Sequence, residues 1–543
     1  MTAAASPRRT GGHLVVQGLQ ALGAEVAFGV PGIHALAIWE ALRTNPMRVY
    51  GARTELCAGF AADGYARSTG RPAPLLLSTG PGALNSLTAV MEAACSHVPV
   101  VAISSQIPSE LLGRGRGYLH ELPDQLACFA PLVKHAAGAT SLDSIPQLLA
   151  QAWEIALSPP SGPVYLEVPV DLLERETDDA VTELASPSTR PSASTAARAA
   201  ITTAAELLGS AQRPVIWAGG DVLRAGARTE LCELAERLDV PVATTYMGKG
   251  ALPDEHPLAA GCGCDEAALQ ELLTEADVML CVGTELGAET TGQYTLRFSG
   301  RLIQIDAAPA RIGASYPALA LVGDAKSILR VLIERVPARP PSGARDRVAT
   351  VRGRITDGLQ RQGRETELAL LQTVQEALAP DAISCWDMTI LGYWAAPHLR
   401  LGACQQFLYP LGSGTLGYAW PAAIGASLAH PGRMVLAVVG DGGIQYALGE
   451  LGAAVQHGVN AKLLIVDDGA YGILREYQRD AFGHTTAVEL SSHDLAAVAR
   501  GFGAPVATAS AAELGAQLAW ALAHDGPAVV VLEARIAAAR PTD

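Results

Sequence analysis

Residues 438–472 read VVGDGGIQYALGELGAAVQHGVNAKLLIVDDGAYG, and no other stretch of the chain restricts the fold so tightly. The run 434–439 is apolar throughout, as in a strand buried on both faces, and Gly440-Asp441-Gly442-Gly443 ends it. Residues 445–457 follow with helical spacing, and a second apolar run at 461–466 ends in Asp467-Asp468. A strand, a helix and a strand in this order make two parallel neighbours, so both strand ends open on the same side. The three glycines let backbone amides approach phosphate oxygens without obstruction by side chains. Asp441, and Asp468 27 residues later, would then put two carboxylates on one ion. Mg²⁺ suits such a place, because it takes a few hard oxygen ligands together with the phosphates of a bound group.

The chain has 543 residues, too many for one core, and reads as three domains. Hydrophobic residues make up 49% and charged residues 17%, the balance of a soluble globular protein. No apolar run reaches the roughly 20 residues that cross a bilayer, and the opening MTAAASPRRTGG lacks the apolar centre of a secretory signal, so no membrane partner is expected and the expected location is cytoplasmic. A net charge of -15 with no basic block opposes nucleic acid as a partner. The nine cysteines are odd in number and scattered, and Cys262-Gly-Cys264 has no second pair at zinc-site distance. They read as reduced, mostly buried thiols.

Two Pro-, Ser- and Ala-rich stretches, 186–197 and 337–347, read as linkers. They divide the chain into domains at 10–185, 198–336 and 360–538. Each alternates helical stretches with short apolar strands: 24–29, 73–78 and 98–104; then 214–219, 241–245, 278–282 and 301–306; then 382–386, 434–439, 461–466 and 528–533. The fold class is therefore α/β, three doubly wound parallel-sheet domains.

The GDG of 440–442 and the Asp-Asp of 467–468 resemble the thiamine diphosphate (ThDP) motif of the acetolactate synthase and 2-oxo acid decarboxylase superfamily, where GDG is followed after a fixed interval by Asn-Asn. The resemblance covers nearly the whole chain. It implies a pyrimidine-binding, a central and a diphosphate-binding domain in that order, with ThDP and Mg²⁺ as cofactors. The metal ligands it implies are Asp441, Asp468 and the backbone carbonyl of Ala470, and it places Tyr471 and Gly472 beside the cofactor. It also implies that each cofactor lies between the first domain of one subunit and the third of another, so a homodimer is the smallest active unit and a homotetramer is common. One departure stands in the motif itself. Asp468 replaces the second Asn and adds a negative charge beside a diphosphate, which a nearby cation would have to offset.

In ARTELCAGFAADGYAR (52–67) a lone carboxylate, Glu55, sits on an otherwise small and apolar helix. By the same resemblance it is the acid that hydrogen-bonds the aminopyrimidine ring and activates the thiazolium, a role that a dry site favours. Ser78-Thr79-Gly80-Pro81-Gly82, with Asn85 just after and Gly32 on an earlier loop, matches the loops that border the pyrimidine. In Gly412-Ser-Gly414-Thr-Leu416-Gly417, Gly414 and Leu416 match the segment that bends the cofactor, Leu416 wedging between its rings. His34 and His120 stand on loops where related enzymes carry a proton-handling side chain, so either could serve the substrate.

Acetolactate synthases hold the carboxylate of a second 2-oxo acid with an Arg of the central domain. Here the matching stretch, GTELGAE (283–289), carries Glu285 and Glu289, which would repel that carboxylate. Together with GRGYLHELPDQ (115–125), TTYMGKGALP (244–253) and WDMT (386–389), the segment is closer to the 5-guanidino-2-oxopentanoate decarboxylase branch. Acidic side chains suit a guanidinium tail, although solvated loop ends would look the same in sequence. Leu474, past the metal loop, is a further substrate-side candidate, and Tyr477 stands where acetolactate synthases carry a Trp. The glycine strings that hold FAD in those enzymes are missing, so FAD is not expected. The expectation is non-oxidative decarboxylation of a small-molecule 2-oxo acid to an aldehyde and CO₂. An acetolactate synthase-like carboligase is the second reading, and a catalytically silent regulatory paralogue the third.

Overall fold

The computed structural model describes residues 9–178, 181, 184, 195–491 and 493–542. Three six-stranded parallel sheets organise the chain. The first runs Arg48–Gly51, Val26–Gly29, Ala73–Leu77, Val100–Gln106, Val164–Pro169, Ala136–Gly138 from edge to edge. The third runs Gln406–Leu408, Ile383–Trp386, Val435–Gly440, Lys462–Asp467, Ala528–Glu533, Val506–Ala509, and so repeats the order of the first strand for strand. The middle sheet has another order: Ala259–Cys262, Val242–Thr244, Val215–Ala218, Val278–Val282, Arg301–Asp306, Ala318–Val322. The order in which strands are laid down reverses between Val215–Ala218 and Val278–Val282, the kind of crevice where α/β sheets bind ligands. A cavity of about 540 Å³ opens there, lined by His97, Asp221, Lys249 and Asp306 among others, and it takes in none of the site residues expected from sequence.

Central strands such as Ala73–Leu77 and Val278–Val282 are buried along their whole length because helices cover both faces, which is why they read as unbroken apolar runs. The first and third sheets share one core. Helix Glu55–Thr69 packs along helix Ala419–Ala429 so closely that a Cβ on Gly64 would stand 2.1 Å from the Ala422 carbonyl oxygen and one on Gly425 1.8 Å from that of Ala61. Only glycine fits at either crossing. A buried polar cluster fastens the same seam: Arg67 reaches Asp63 at 2.9 Å and Glu92 at 3.1 Å, Tyr418 donates to Asp63 at 2.7 Å, and Glu92 accepts from the Ser413 amide at 2.7 Å.

Some boundaries differ from the sequence reading. The helix expected at 445–457 begins at Gly449, because a short helical turn, Asp441–Ile444, and a turn through Tyr446 come first. The expected linker 337–347 gives way to helix Ala344–Arg361, which packs on the middle domain through Ala259–Cys262 and Ala267–Thr274. Most of the linker expected at 186–197 lies outside the described residues, and helix Thr195–Ser210 takes up its end. The chain end returns to the middle domain, where the Thr542 amide donates to Glu266 at 2.9 Å. The nine cysteines are free and mostly buried, as expected; Cys95 and Cys404 are the two exposed ones. Among the described residues no helix is long and apolar enough to cross a membrane.

Candidate functional site

Strands Val435–Gly440 and Lys462–Asp467 pair in parallel, Gly440 opposite Val466, so the turns that follow them lie side by side. Asp441 opens one turn and Asp468 the other, near enough for each carboxyl to shift the other. Burial first, and then the negative charge of Asp468, push the Asp441 carboxyl well above the usual range. Two crowded, dry carboxylates are a poor arrangement for protein alone and a good one for a divalent cation. Ala470, buried two residues on, donates its amide to Asp468 at 3.3 Å. A Cβ on Gly442 would strike the Tyr471 ring at 2.7 Å, and one on Gly472 would meet the Asp468 carboxylate at 2.2 Å. Those glycines keep the two turns in contact. The residues expected for the diphosphate and metal, Gly440 to Gly443, Asp468, Ala470, Tyr471 and Gly472, thus form one group, and its donor set fits ThDP with Mg²⁺.

Asp387, fully buried at the end of Ile383–Trp386, braces this group from behind. It accepts from the Gly417 amide at 2.9 Å and from Met388 at 2.8 Å, and it lies 3.1 Å from where a Gly443 Cβ would be. It therefore ties the 412–417 loop to the GDG turn. In that loop Gly414 has φ +68° and Leu416 is half-buried, outside the core clusters, rather than packed away as a leucine usually is.

The first domain supplies a second group. Glu55 is the first residue of its helix, capped by Thr54; its half-buried carboxylate accepts from the Asn85 amide at 3.2 Å. A Cβ on Gly82 would lie 3.2 Å from Glu55 Oε1, and one on Gly32 would overlap Ser78 at 2.3 Å. Thr79 is held by Ser105 Oγ, at 3.0 Å from its amide and 2.9 Å from its hydroxyl. The Gly80 amide donates to Gln125 Oε1 at 2.7 Å. His34 and His120 come together with ring centroids 5.3 Å apart, and the Nδ1 of each is buried without a hydrogen-bond partner. His34 is 6% exposed, and burial pulls its ring below the usual histidine range. His120 takes φ +67°, a strained backbone for a side chain of that size.

The two acids of the middle domain part company. Glu285 is already paired, with Arg311 at 3.0 Å and His97 at 3.0 Å, and these partners lower its carboxyl. It is thus engaged by two side chains of its own chain while its own side chain stays 53% exposed. Glu289 is exposed, accepting from Gln293 at 2.8 Å. Its loop is bent through left-handed backbone at Leu286, Gln293 and Tyr294. The Cys264 thiol, 3.6 Å from the Glu289 carbonyl oxygen, ties that loop to Asp265, whose carboxylate takes the Tyr246 hydroxyl. Burial, then the charges of Asp265, Glu289 and Glu476, raise the phenol of Tyr477, in the second turn of the helix that follows the metal loop. Leu474 and Tyr477 are 47% and 55% exposed on that helix.

Sequence reasoning missed Gln125, Asp387 and Asp265. Gln125 and Asp387 lie inside strings that carried the resemblance, but their partners, Gly80 and Gly417, are remote in sequence.

The thiamine pyrophosphate enzyme domain families match in order: the N-terminal TPP binding domain over residues 9–128, the central domain over 201–332 and the C-terminal TPP binding domain over 387–532. The chain is 37% identical over 502 residues to a probable 2-ketoarginine decarboxylase of Pseudomonas aeruginosa, covering 92% of this chain and 89% of that one. It is 32% identical over 488 residues to the acetolactate synthase large subunit of Corynebacterium glutamicum, covering 88% and 77%. Against the large subunit of acetolactate synthase isozyme 1 of Escherichia coli the identity is 30% over 524 residues, covering 92% and 90%. Three domain matches, a full-length relative and a paired carboxylate turn at the end of parallel strands agree: the chain belongs to the thiamine pyrophosphate enzyme family.

Proposed function

We propose that the protein is a ThDP- and Mg²⁺-dependent decarboxylase of a 2-oxo acid with a guanidinium tail, 5-guanidino-2-oxopentanoate being the best fit. The observation that carries this reading is the exposed acidic and aromatic surface beyond the metal loop, made of Glu289, Asp265 and Tyr477, whose phenol burial and then the two carboxylates raise. A guanidinium pairs with carboxylates and stacks on a phenol ring, whereas a second 2-oxo acid would bring a carboxylate into the same negative field. The 2-ketoarginine decarboxylase relative supports the same substrate.

In this reading the domain at 10–185 holds the pyrimidine, that at 360–538 the diphosphate, and 198–336 shapes the substrate side. Asp441, Asp468 and the Ala470 carbonyl would hold the metal. ThDP, when bound, supplies the electron sink that decarboxylation needs. Glu55 would hydrogen-bond the pyrimidine ring through its carboxyl, which lies against Gly82 and keeps its orientation through Asn85. The Gly412–Gly417 turn, fixed by Asp387 and Glu92, presents Leu416 to the cofactor. His34 is neutral near pH 7, and its unpartnered Nδ1, or that of His120, handles the proton that completes the aldehyde. We further propose a homodimer or homotetramer with sites between subunits. Glu55 is half-exposed, and apolar Ile33, Leu36 and Leu119 around the first group, with Tyr446 and Phe482 around the second, are left uncovered in one chain.

The experiment is CO₂ release by the purified protein with ThDP and Mg²⁺ on pyruvate, phenylpyruvate and 5-guanidino-2-oxopentanoate, with products identified. Selective formation of 4-guanidinobutanal is expected, abolished by Glu55→Gln with the fold intact. Acetolactate from pyruvate as the main product would overturn the decarboxylase reading in favour of the carboligase.

A further inference from the structure

The metal turn carries one negative charge more than the Asp-and-Asn pair of the motif it resembles, and the fold answers with one positive charge. Arg475, on helix Gly472–Phe482, donates from Nη2 to Asp468 Oδ2 at 3.3 Å, and both side chains are 8% exposed. From Nη1 it reaches Glu489 at 3.4 Å. Glu489 belongs to a segment whose backbone straps the turn, since the Tyr471 amide donates to Val488 at 2.8 Å and the Leu490 amide to Gly469 at 2.9 Å. The Arg475 Nε is buried without a partner. A guanidinium placed this dry beside a turn built for a cation is costly unless a charge there requires it.

We propose that Arg475 is a positioning residue for the ThDP and Mg²⁺ site, which cancels the added charge of Asp468 and leaves one of its oxygens for the metal. Asp468 and Arg475 together then act as a neutral amide would, offering an oxygen on one side and N–H groups on the other. Asp441, Asp468 and Arg475 then sum to a formal charge of one negative, as Asp441 and an asparagine at 468 would, while Glu489, which shares Arg475, has Arg479 at 3.8 Å as a second cation. Without Arg475 the uncompensated carboxylate would face the diphosphate itself. The inference rests on the metal-site reading given above.

The test is calorimetric titration of ThDP into the full-length protein at saturating Mg²⁺, for the wild type, Arg475→Met, Arg475→Lys and the double variant Asp468→Asn/Arg475→Met. Arg475→Met is expected to weaken ThDP binding at least tenfold. Arg475→Lys, which keeps the charge, and the double variant, which removes both charges, are expected to stay within threefold of the wild type. A double variant as weak as Arg475→Met, or an Arg475→Met that binds like the wild type, would overturn the inference while leaving the cofactor reading in place. A wild type that binds no ThDP would overturn both. Should Arg475→Met not fold, the lysine and double variants decide, since a tenfold loss in either contradicts charge cancellation.

Discussion

Asp387 touches two separate loops and nothing in solvent, yet it sets the geometry of both. Burial lifts its carboxyl to about 6, although the backbone amides of Met388 and Gly417 pull the other way. A carboxyl raised above its unfolded value favours folding while protonated, and that contribution disappears as pH rises through the folded value. Urea midpoints between pH 5 and 7.5 should therefore show the wild type losing roughly 1 kcal/mol relative to Asp387→Asn across this range. A constant difference would mean that the acid is not raised. Asp441, Asp468 and Glu55 were legible in the sequence because each is an acid among small residues at local, countable spacing. Asp387 and Gln125 were not, because they work on amides of distant loops and nothing around them marks a long-range partner. Arg475 had a local signal, one helical face away from Asp468, but an arginine early in a helix reads equally well as solvated surface.

At the level of elements, strands with unbroken apolar runs were read well and short or polar-bearing ones poorly. Val435–Gly440 and Ala528–Glu533 announce themselves by apolar runs, while Ala136–Gly138 has three residues and Val164–Pro169 hides a buried Glu167 bonded to Gln106 and Gln125. The seam between helices Glu55–Thr69 and Ala419–Ala429 could not be read at all, since a glycine inside a helix pattern says nothing about which carbonyl lies against it. It predicts sharply, however. Gly64→Ala should lower stability by about 1–3 kcal/mol or more, because the new methyl has a fixed backbone oxygen in its place. Gly353→Ala, on the exposed face of Ala344–Arg361 with nothing within 4 Å, should instead raise it by up to ~1 kcal/mol. Thermal melts of the two variants with opposite shifts would confirm the seam; a neutral Gly64→Ala would refute it.

For the whole molecule, the two outer domains share a strand order and a core but present their cofactor groups half open. Sedimentation at micromolar concentration is expected to give a dimer or tetramer, and specific activity should fall on dilution in step with dissociation. A monomer that keeps full activity would contradict sites shared between subunits. The seam has a further, mechanical meaning. Two helices in backbone contact, with glycine at each crossing, leave no layer of side chains to shear, so the outer domains form a rigid frame and the register of one helix pair works as a gauge block for the assembly. Whatever admits substrate must then bend elsewhere, on the side of the middle domain and its loops.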